Sequence, residues 1–204
     1  MAEPATPLKP TAERLLDAAE ELFARHGFDA TSLADVADRV GIRTPSLYSH
    51  FASKQDLYEA VMDRLFEPFL ALHVRFLEGD ATPEAVAEYL GRATAYHAEN
   101  PNLARSIQHA SLAGGTQLAL LARRWQPIFD RGREATASSQ ALSQRSPESL
   151  PWIVMAFSTI LIGTATLAPL YRELFGIDPL DAAGVEAQTR LLDELNRSLE
   201  SAGG

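Results

Sequence analysis

The chain has 204 residues, 46% of them hydrophobic, so it can bury a real core and is not a disordered polymer. It contains no cysteine, which excludes disulfides and thiolate metal sites. A formal net charge of −9 excludes a protein that coats nucleic acid through a broad basic surface, but not one that binds DNA locally.

In chain order, residues 1–10 (MAEPATPLKP) are Pro-rich and expected to be mobile. They lack a basic stretch followed by an apolar one, so no secretory signal is expected. A first helix is expected from Thr11 to His26, with Leu15, Ala19, Leu22 and Phe23 as its apolar stripe and Gly27 as its stop. Thr31 and Ser32 offer an N-cap for a second helix whose Leu33, Val36, Ala37 and Val40 face inward. Gly41 can take the left-handed conformation that a sharp helix–helix turn needs. A third helix of about seven residues is expected to follow, with Thr44 as N-cap and Pro45 in its first turn. Leu47 and Phe51, four apart, mark its buried face. Pro45, Ser46 and Ser49 then point away from the core, with Tyr48 and His50 on the flanks. Small polar residues beside an aromatic hydroxyl and a histidine suit a DNA major groove. From Arg39 to Gln55 there are Arg39, Arg43 and Lys54 and no acid, while acids crowd the first helix.

Ser53, with Asp56 three residues on, resembles a capping box and opens a long fourth helix. Its stripe is Leu57, Val61, Leu65, Phe69, Leu72 and Phe76, and Pro68 is expected to kink or end it. Thr82-Pro83 starts a fifth helix that runs to about Glu99. Asn100-Pro101 starts a sixth that ends at Gly114-Gly115. A seventh begins near Thr116 and reaches Arg133 or beyond, with Pro127 as a kink. Residues 136–149 are expected to be partly loop. Ser146-Pro147 opens an eighth helix, and Asp178-Pro179 leads to a ninth patterned by Val185, Gln188, Leu192, Leu195 and Leu199. No strand pattern and no internal repeat occurs. The fold class is therefore all-α with about nine helices: an N-terminal three-helix domain with a helix-turn-helix over residues 1–52, and a C-terminal helical domain over residues 53–204.

Residues 11–60 resemble the DNA-binding domain of the TetR (tetracycline-repressor-like) family of bacterial transcription regulators. The residues that carry the resemblance are LLDAAEELFARHGFDATSLADVADRVGIRTPSLYSHFASKQDLYEAV, and LYSHF followed by SKQDL is the most specific part. The resemblance covers about a quarter of the chain; beyond it, only helix count and two interface-like closing helices agree. It implies an all-α homodimer with two DNA-binding heads and a ligand-sensing body, in the bacterial cytoplasm. Arg43 stands where the family often has a small capping residue, and Pro45 where Gly or Ala is common, which bears on the operator sequence and not on the fold.

The expected DNA-binding residues are Ser32, Arg43, Thr44, Pro45, Ser46, Tyr48, Ser49, His50 and Lys54. Arg43 could contact guanine O6 and N7. Thr44 and Ser46 could bond base edges or phosphate, and Pro45 could pack on a thymine methyl. Tyr48 and His50 would reach phosphates, with packing roles as the alternative. Lys54, at the start of the fourth helix, would position the head on phosphate without reading sequence.

The segment 149–171 holds no charged residue and is long enough to span a bilayer. Its Ser, Thr, Gly163 and Pro169, and the lack of charged anchors, favour instead a helix buried between subunits. The helices near 149–171 and 183–200 are expected to make a four-helix interface. It would set two heads one DNA turn apart, about 34–36 Å. Ligand candidates in the helical body are Phe69, His73, Tyr96, His97, His109, Trp125, Phe129, Trp152, Met155 and Phe157, each with ordinary core packing as the alternative. Arg123, Arg124, Arg131 and Arg133 could meet an acidic ligand or form a solvated face. The five His show no metal-binding helical spacing, and no nucleophile, phosphate-loop or dinucleotide motif occurs, so no enzyme, metal or cofactor is expected. The expected function is a ligand-responsive regulator, foremost a repressor, that binds palindromic double-stranded DNA as a homodimer and is released by a small, largely apolar inducer. An architectural or ligand-independent DNA-binding protein is the alternative, and a membrane protein is not expected.

Overall fold

A computed structural model describes residues 9–79, 82–138 and 147–202. Among the described residues every regular element is helical: α1 (Thr11–Ala30), α2 (Leu33–Val40), α3 (Thr44–Leu47), α4 (Lys54–Leu77), α5 (Pro83–Glu99), α6 (Pro101–Ala113), α7 (Gly115–Ser138), α8 (Leu150–Phe175) and α9 (Ala182–Ala202). The chain divides into two compact units, one up to Arg64 and one from Leu65, so the division falls inside α4 and not before it.

In the N-terminal unit, α1 is interrupted at Gly27 (φ +79°) and continues for one short turn to Ala30, past the expected stop. Thr31 closes this end. Its hydroxyl donates to the carbonyls of Gly27 (2.9 Å) and Leu22 (3.2 Å). The cap of α2 therefore falls to Ser32 alone. Its Oγ accepts from the Asp35 N–H (3.1 Å) while the Asp35 carboxylate accepts from the Ser32 N–H (3.0 Å), a reciprocal capping box. These Ser32 bonds hold the Asp35 carboxyl below its usual range. Gly41 (φ +77°) ends α2 in the left-handed conformation, and the Ile42 N–H returns to the Ala37 carbonyl at 3.0 Å.

The core of this unit is Leu15, Ala19, Phe23, Val36, Ala37, Leu47, Leu57 and Val61, with Phe23, Phe28 and Tyr58 packed edge and face about one another. The partly buried Arg64 bonds Asp17 at 2.7 Å and also Glu20, fastening α4 to α1. The Ser53 Oγ accepts from the Asp56 N–H at 3.0 Å and starts α4.

In the C-terminal unit, Thr82 caps α5, Asn100 separates α5 from α6, and Gly114 separates α6 from α7. Pro68 and Pro127 interrupt neither helix: α4 continues to Leu77 and α7 to Ser138. Residues 136–138 are therefore helix, and residues 139–146, expected as loop, lie outside the described residues. A 3-10 turn, Pro147–Ser149, precedes α8. Leu90 and Ala93 of α5, Leu161 of α8 and Leu192 of α9 form one buried core, with Leu72, Val86, Tyr89, Phe157 and Ile160 packed against it. Gln108 bonds Thr166 (3.0 Å) and Gln188 bonds Thr164 (2.8 Å), tying α6 and α9 to α8. At the entry to α9 a Cβ on Gly184 would lie 2.5 Å from the Asp178 carbonyl, so only glycine fits.

Candidate nucleic-acid interface and buried aromatic cluster

The α2–turn–α3 segment presents a polar outer surface on a fixed inner anchor. Leu47 is fully buried, while Pro45, Ser46, Tyr48, Ser49 and His50 are exposed and Thr44 and Phe51 are half-buried. The third helix is shorter than its pattern suggests. Four residues are α-helical, and the chain then turns through His50 with tighter bonds, Ser49 N–H to Ser46 O (3.3 Å) and His50 N–H to Leu47 O (2.9 Å). Thr44 is not the cap, because Arg43 occupies the N-cap position with an extended backbone and without a side-chain cap bond. The Ser49 hydroxyl donates to the Ser46 carbonyl at 2.7 Å, which holds the exposed turn in one shape.

The three basic residues of the acid-free stretch fare differently. Arg39 is paired with Glu21 of α1, which also bonds Arg25 at 3.0 Å. Lys54 is half-buried, donates to the Asp29 carbonyl (3.2 Å) and lies 4.4 Å above the Phe28 ring centroid. Arg43 is exposed and makes no ion pair or hydrogen bond with the described residues, so its guanidinium can face a ligand. Ser32 is exposed but already committed to Asp35, toward which its hydroxyl also donates at 2.7 Å.

The ligand candidates separate into three groups. Phe69, His73, Tyr96, His97, Trp125 and Phe129 come together from α4, α5 and α7 within the C-terminal unit. Around the buried Phe69 ring, centroids lie at 4.1 Å for His73, 5.4 Å for His97, 5.9 Å for Trp125 and 6.5 Å for Tyr96. Phe129 stacks on Trp125 at 6.3 Å. Phe157 packs in the α5/α8/α9 core and His109 is half-buried on α6, neither of them with a ring contact to this cluster. Trp152 and Met155 stand 77% and 46% exposed on α8, outside the cluster. Sequence reasoning missed Phe66 and Tyr89, whose rings extend the cluster through Phe69 (5.9 Å) and His73 (5.3 Å). Their signal was available in the spacing: Phe66 is three residues before Phe69, and Tyr89 is seven before Tyr96.

The cluster is electrostatically neutral in character. Burial pushes the His73 imidazole down to about 4, with the neighbouring His97 acting the same way and the bond to the Phe69 carbonyl opposing. Burial likewise lowers His97 and raises the Tyr89 hydroxyl. Tyr96 donates to the Leu65 carbonyl at 2.7 Å. Two of the basic residues of α7 form ion pairs at the surface. Arg131 approaches Glu78 and Glu134, and Arg133 pairs with Asp130, which makes them a solvated charged face. Among the described residues no group of three or more metal-ligating side chains gathers.

A third feature is an apolar surface on α8 and α9. The segment Pro151–Phe175 is long and apolar enough to cross a membrane, by length and composition. Ser158, Leu161, Ala165 and Ala168 on one face of it are buried. Leu167, Leu170, Leu174 and Phe175 on α8, and Leu191, Leu195 and Leu199 on α9, are exposed.

Comparison with known proteins agrees with this geometry. Residues 15–61 match the family model described as bacterial regulatory proteins, tetR family. Over 76 residues the chain is 42% identical to the HTH-type transcriptional repressor ComR of Escherichia coli K12, a match that spans 36% of each protein. Over 51 residues it is 47% identical to the HTH-type transcriptional activator FasR of Mycolicibacterium smegmatis, which covers 25% of this chain and 23% of that one. The matched stretch thus spans about a third or less of the curated relatives' length. Over nearly the whole chain the fold is similar to the crystal structure of Mycobacterium smegmatis AmtR, with a TM-score of 0.59, 25% identity, and 94% of this chain and 90% of that one covered. Residues 15–61 thus carry the helix-turn-helix domain of the tetR family of bacterial regulatory proteins, and over nearly its whole length the chain has a fold similar to that of AmtR.

Proposed function

We propose that the protein is a cytoplasmic transcription regulator that binds an operator as a homodimer and is released by a small, largely apolar ligand. The observation that carries this reading is the exposed row Pro45, Ser46, Tyr48, Ser49 and His50 beside an uncommitted Arg43, on a short helix pinned by the wholly buried Leu47. Such a surface offers small polar groups to base edges and one guanidinium to a guanine. Ser32 and Thr44 complete the contact with phosphate or base edges, and Lys54 positions the head.

Two further observations support the rest of the reading. The exposed apolar residues of α8 and α9 favour a second copy of this chain as their cover, since monomers rarely leave so many large apolar side chains in water along two helices. The aromatic cluster around Phe69 favours an apolar effector. Helix α4 carries both Lys54 and Phe69, and a ligand that distinguishes two positions of α4 would change operator affinity. If Pro68→Ala leaves operator affinity and ligand response unchanged, coupling through that point of α4 is wrong. Repression is the direction we assign, and a reporter placed behind the operator tests it.

The operator reading is tested by selecting bound sequences from random DNA and then titrating two variants. Arg43→Ala should cost roughly 1–3 kcal/mol and relax preference at one base position. Lys54→Ala should weaken all sequences alike and flatten the salt dependence. Equal effects of both changes on selected and random DNA would sink the division of roles.

A further inference from the structure

Two polar atoms inside the aromatic cluster have no hydrogen-bond partner: Nε2 of His97 and Nε1 of Trp125. The residues are 2% and 7% exposed, so bulk water does not reach them. Both rings pack on the same residue, Phe69, from α5 and from α7. A buried polar group left unpaired is costly, and two of opposite kind around one ring call for a common explanation.

Their chemistry is fixed by what surrounds them. Nδ1 of His97 lies 2.9 Å from the Ala93 carbonyl, which can only accept, so Nδ1 carries the proton. In the neutral ring Nε2 is then a lone-pair acceptor. The indole Nε1–H of Trp125 can only donate. The cluster therefore holds one orphaned acceptor and one orphaned donor. Of a hydroxyl, a carboxylate and a hydrocarbon, only the hydroxyl meets both needs, since it donates to Nε2 and accepts from Nε1–H at once. A carboxylate could accept from Trp125 but has no proton for His97. Burial disfavours the charged histidine that a carboxylate would call for, and the same burial disfavours a bare anion. A hydrocarbon would fill the cluster and leave both atoms unpaired.

We propose that the effector is a neutral, largely apolar alcohol or phenol whose hydroxyl is held between His97 Nε2 and Trp125 Nε1–H. This rests on the reading that the C-terminal unit binds an effector, and it names the chemistry of that effector. Phe69, His73 and Phe129 supply the apolar and aromatic contacts for its body.

The test is equilibrium dialysis of the full chain against three probes of one shape, 2-naphthol, 2-methylnaphthalene and 2-naphthoate. The naphthol should bind roughly ten-fold or more tightly than either of the others, the factor expected for satisfying a buried hydrogen-bonding group. Trp125→Phe keeps the ring and removes the N–H, and should shrink the preference for naphthol over methylnaphthalene while the affinity for methylnaphthalene stays. His97→Leu should do the same. Equal affinity for the three probes, a preference for the naphthoate, or no binding of any probe overturns the proposal, and the wild-type comparison decides this even if a variant does not fold. Operator binding measured in parallel separates this from the regulatory reading. Loss of hydroxyl selectivity with operator binding intact overturns the ligand chemistry alone. Selective uptake that leaves operator affinity unchanged supports the ligand chemistry and overturns release by ligand.

Discussion

Acidification should destabilise the C-terminal unit through His73, and the size of the effect follows from its surroundings. His73 is 7% exposed, its ring 4.1 Å from Phe69 and 5.3 Å from Tyr89. Its Nδ1 lies 2.8 Å from the Phe69 carbonyl. Burial takes its pKa from the ordinary 6.5 to about 4. Between these values the unfolded chain binds a proton that the folded chain refuses. Stability therefore rises with pH across this window, is complete above the unfolded value, and is lost as pH falls toward the folded one. Linkage with these two values gives a loss of about 2 kcal/mol between pH 7.5 and 5, approaching about 3 kcal/mol at lower pH. His97 is shifted the same way and adds to the loss.

Urea unfolding at several pH values and one protein concentration measures it. Both tryptophans, Trp125 and Trp152, belong to the C-terminal unit, so their fluorescence reports on that unit. Carboxylates titrate in the same range, so the comparison is with His73→Leu, which should lose about 2 kcal/mol less than wild type over the same interval. If the two proteins lose the same stability, His73 does not stay neutral in the fold and the reasoning fails.

Three further outcomes concern local structure and assembly. Ser32→Ala removes the Oγ that accepts from the Asp35 N–H and should cost about 1 kcal/mol of stability, read by thermal unfolding; an unchanged midpoint would mean the cap contributes nothing. Gly41→Ala meets no neighbouring atom within 4 Å but must adopt φ +77°, so a destabilisation of about 1 kcal/mol from backbone strain alone is expected in urea titration. Leu174→Glu combined with Phe175→Glu places two charges on the exposed apolar end of α8 and should convert the sedimentation profile from dimer to monomer. Persistence of a dimer would remove this end of α8 from the interface.

The helix boundaries were legible where local chemistry sets them. Thr82-Pro83 and Asn100-Pro101 start α5 and α6, and Gly41 ends α2, because caps, proline and left-handed glycine act within a turn of the chain. The buried stripe of α4 was legible for the same reason: Leu57, Val61, Leu65 and Phe69 recur at helical spacing and are all buried. The length of α3 was not. Its pattern of Leu47 and Phe51 fits a longer helix, but the Ser49 and His50 N–H groups bond three residues back and tighten the chain into a turn.

In the candidate interface the sequence by itself determined which side chains surround Leu47, and so which remain in water. It also determined that no acid lies between Arg39 and Gln55 along the chain. Only the tertiary structure decided what that stretch presents. Glu21 of α1 reaches Arg39, the Asp29 carbonyl and the Phe28 ring engage Lys54, and Arg43 is left uncommitted among the described residues. The same holds for the cluster around Phe69, whose His97 and Trp125 stand on different helices and whose unpaired atoms no spacing rule reveals. Helical hydrogen bonds close over four residues and can be read from neighbours. Charge pairing and the solvation of a buried atom depend on what the fold brings up from elsewhere in the chain.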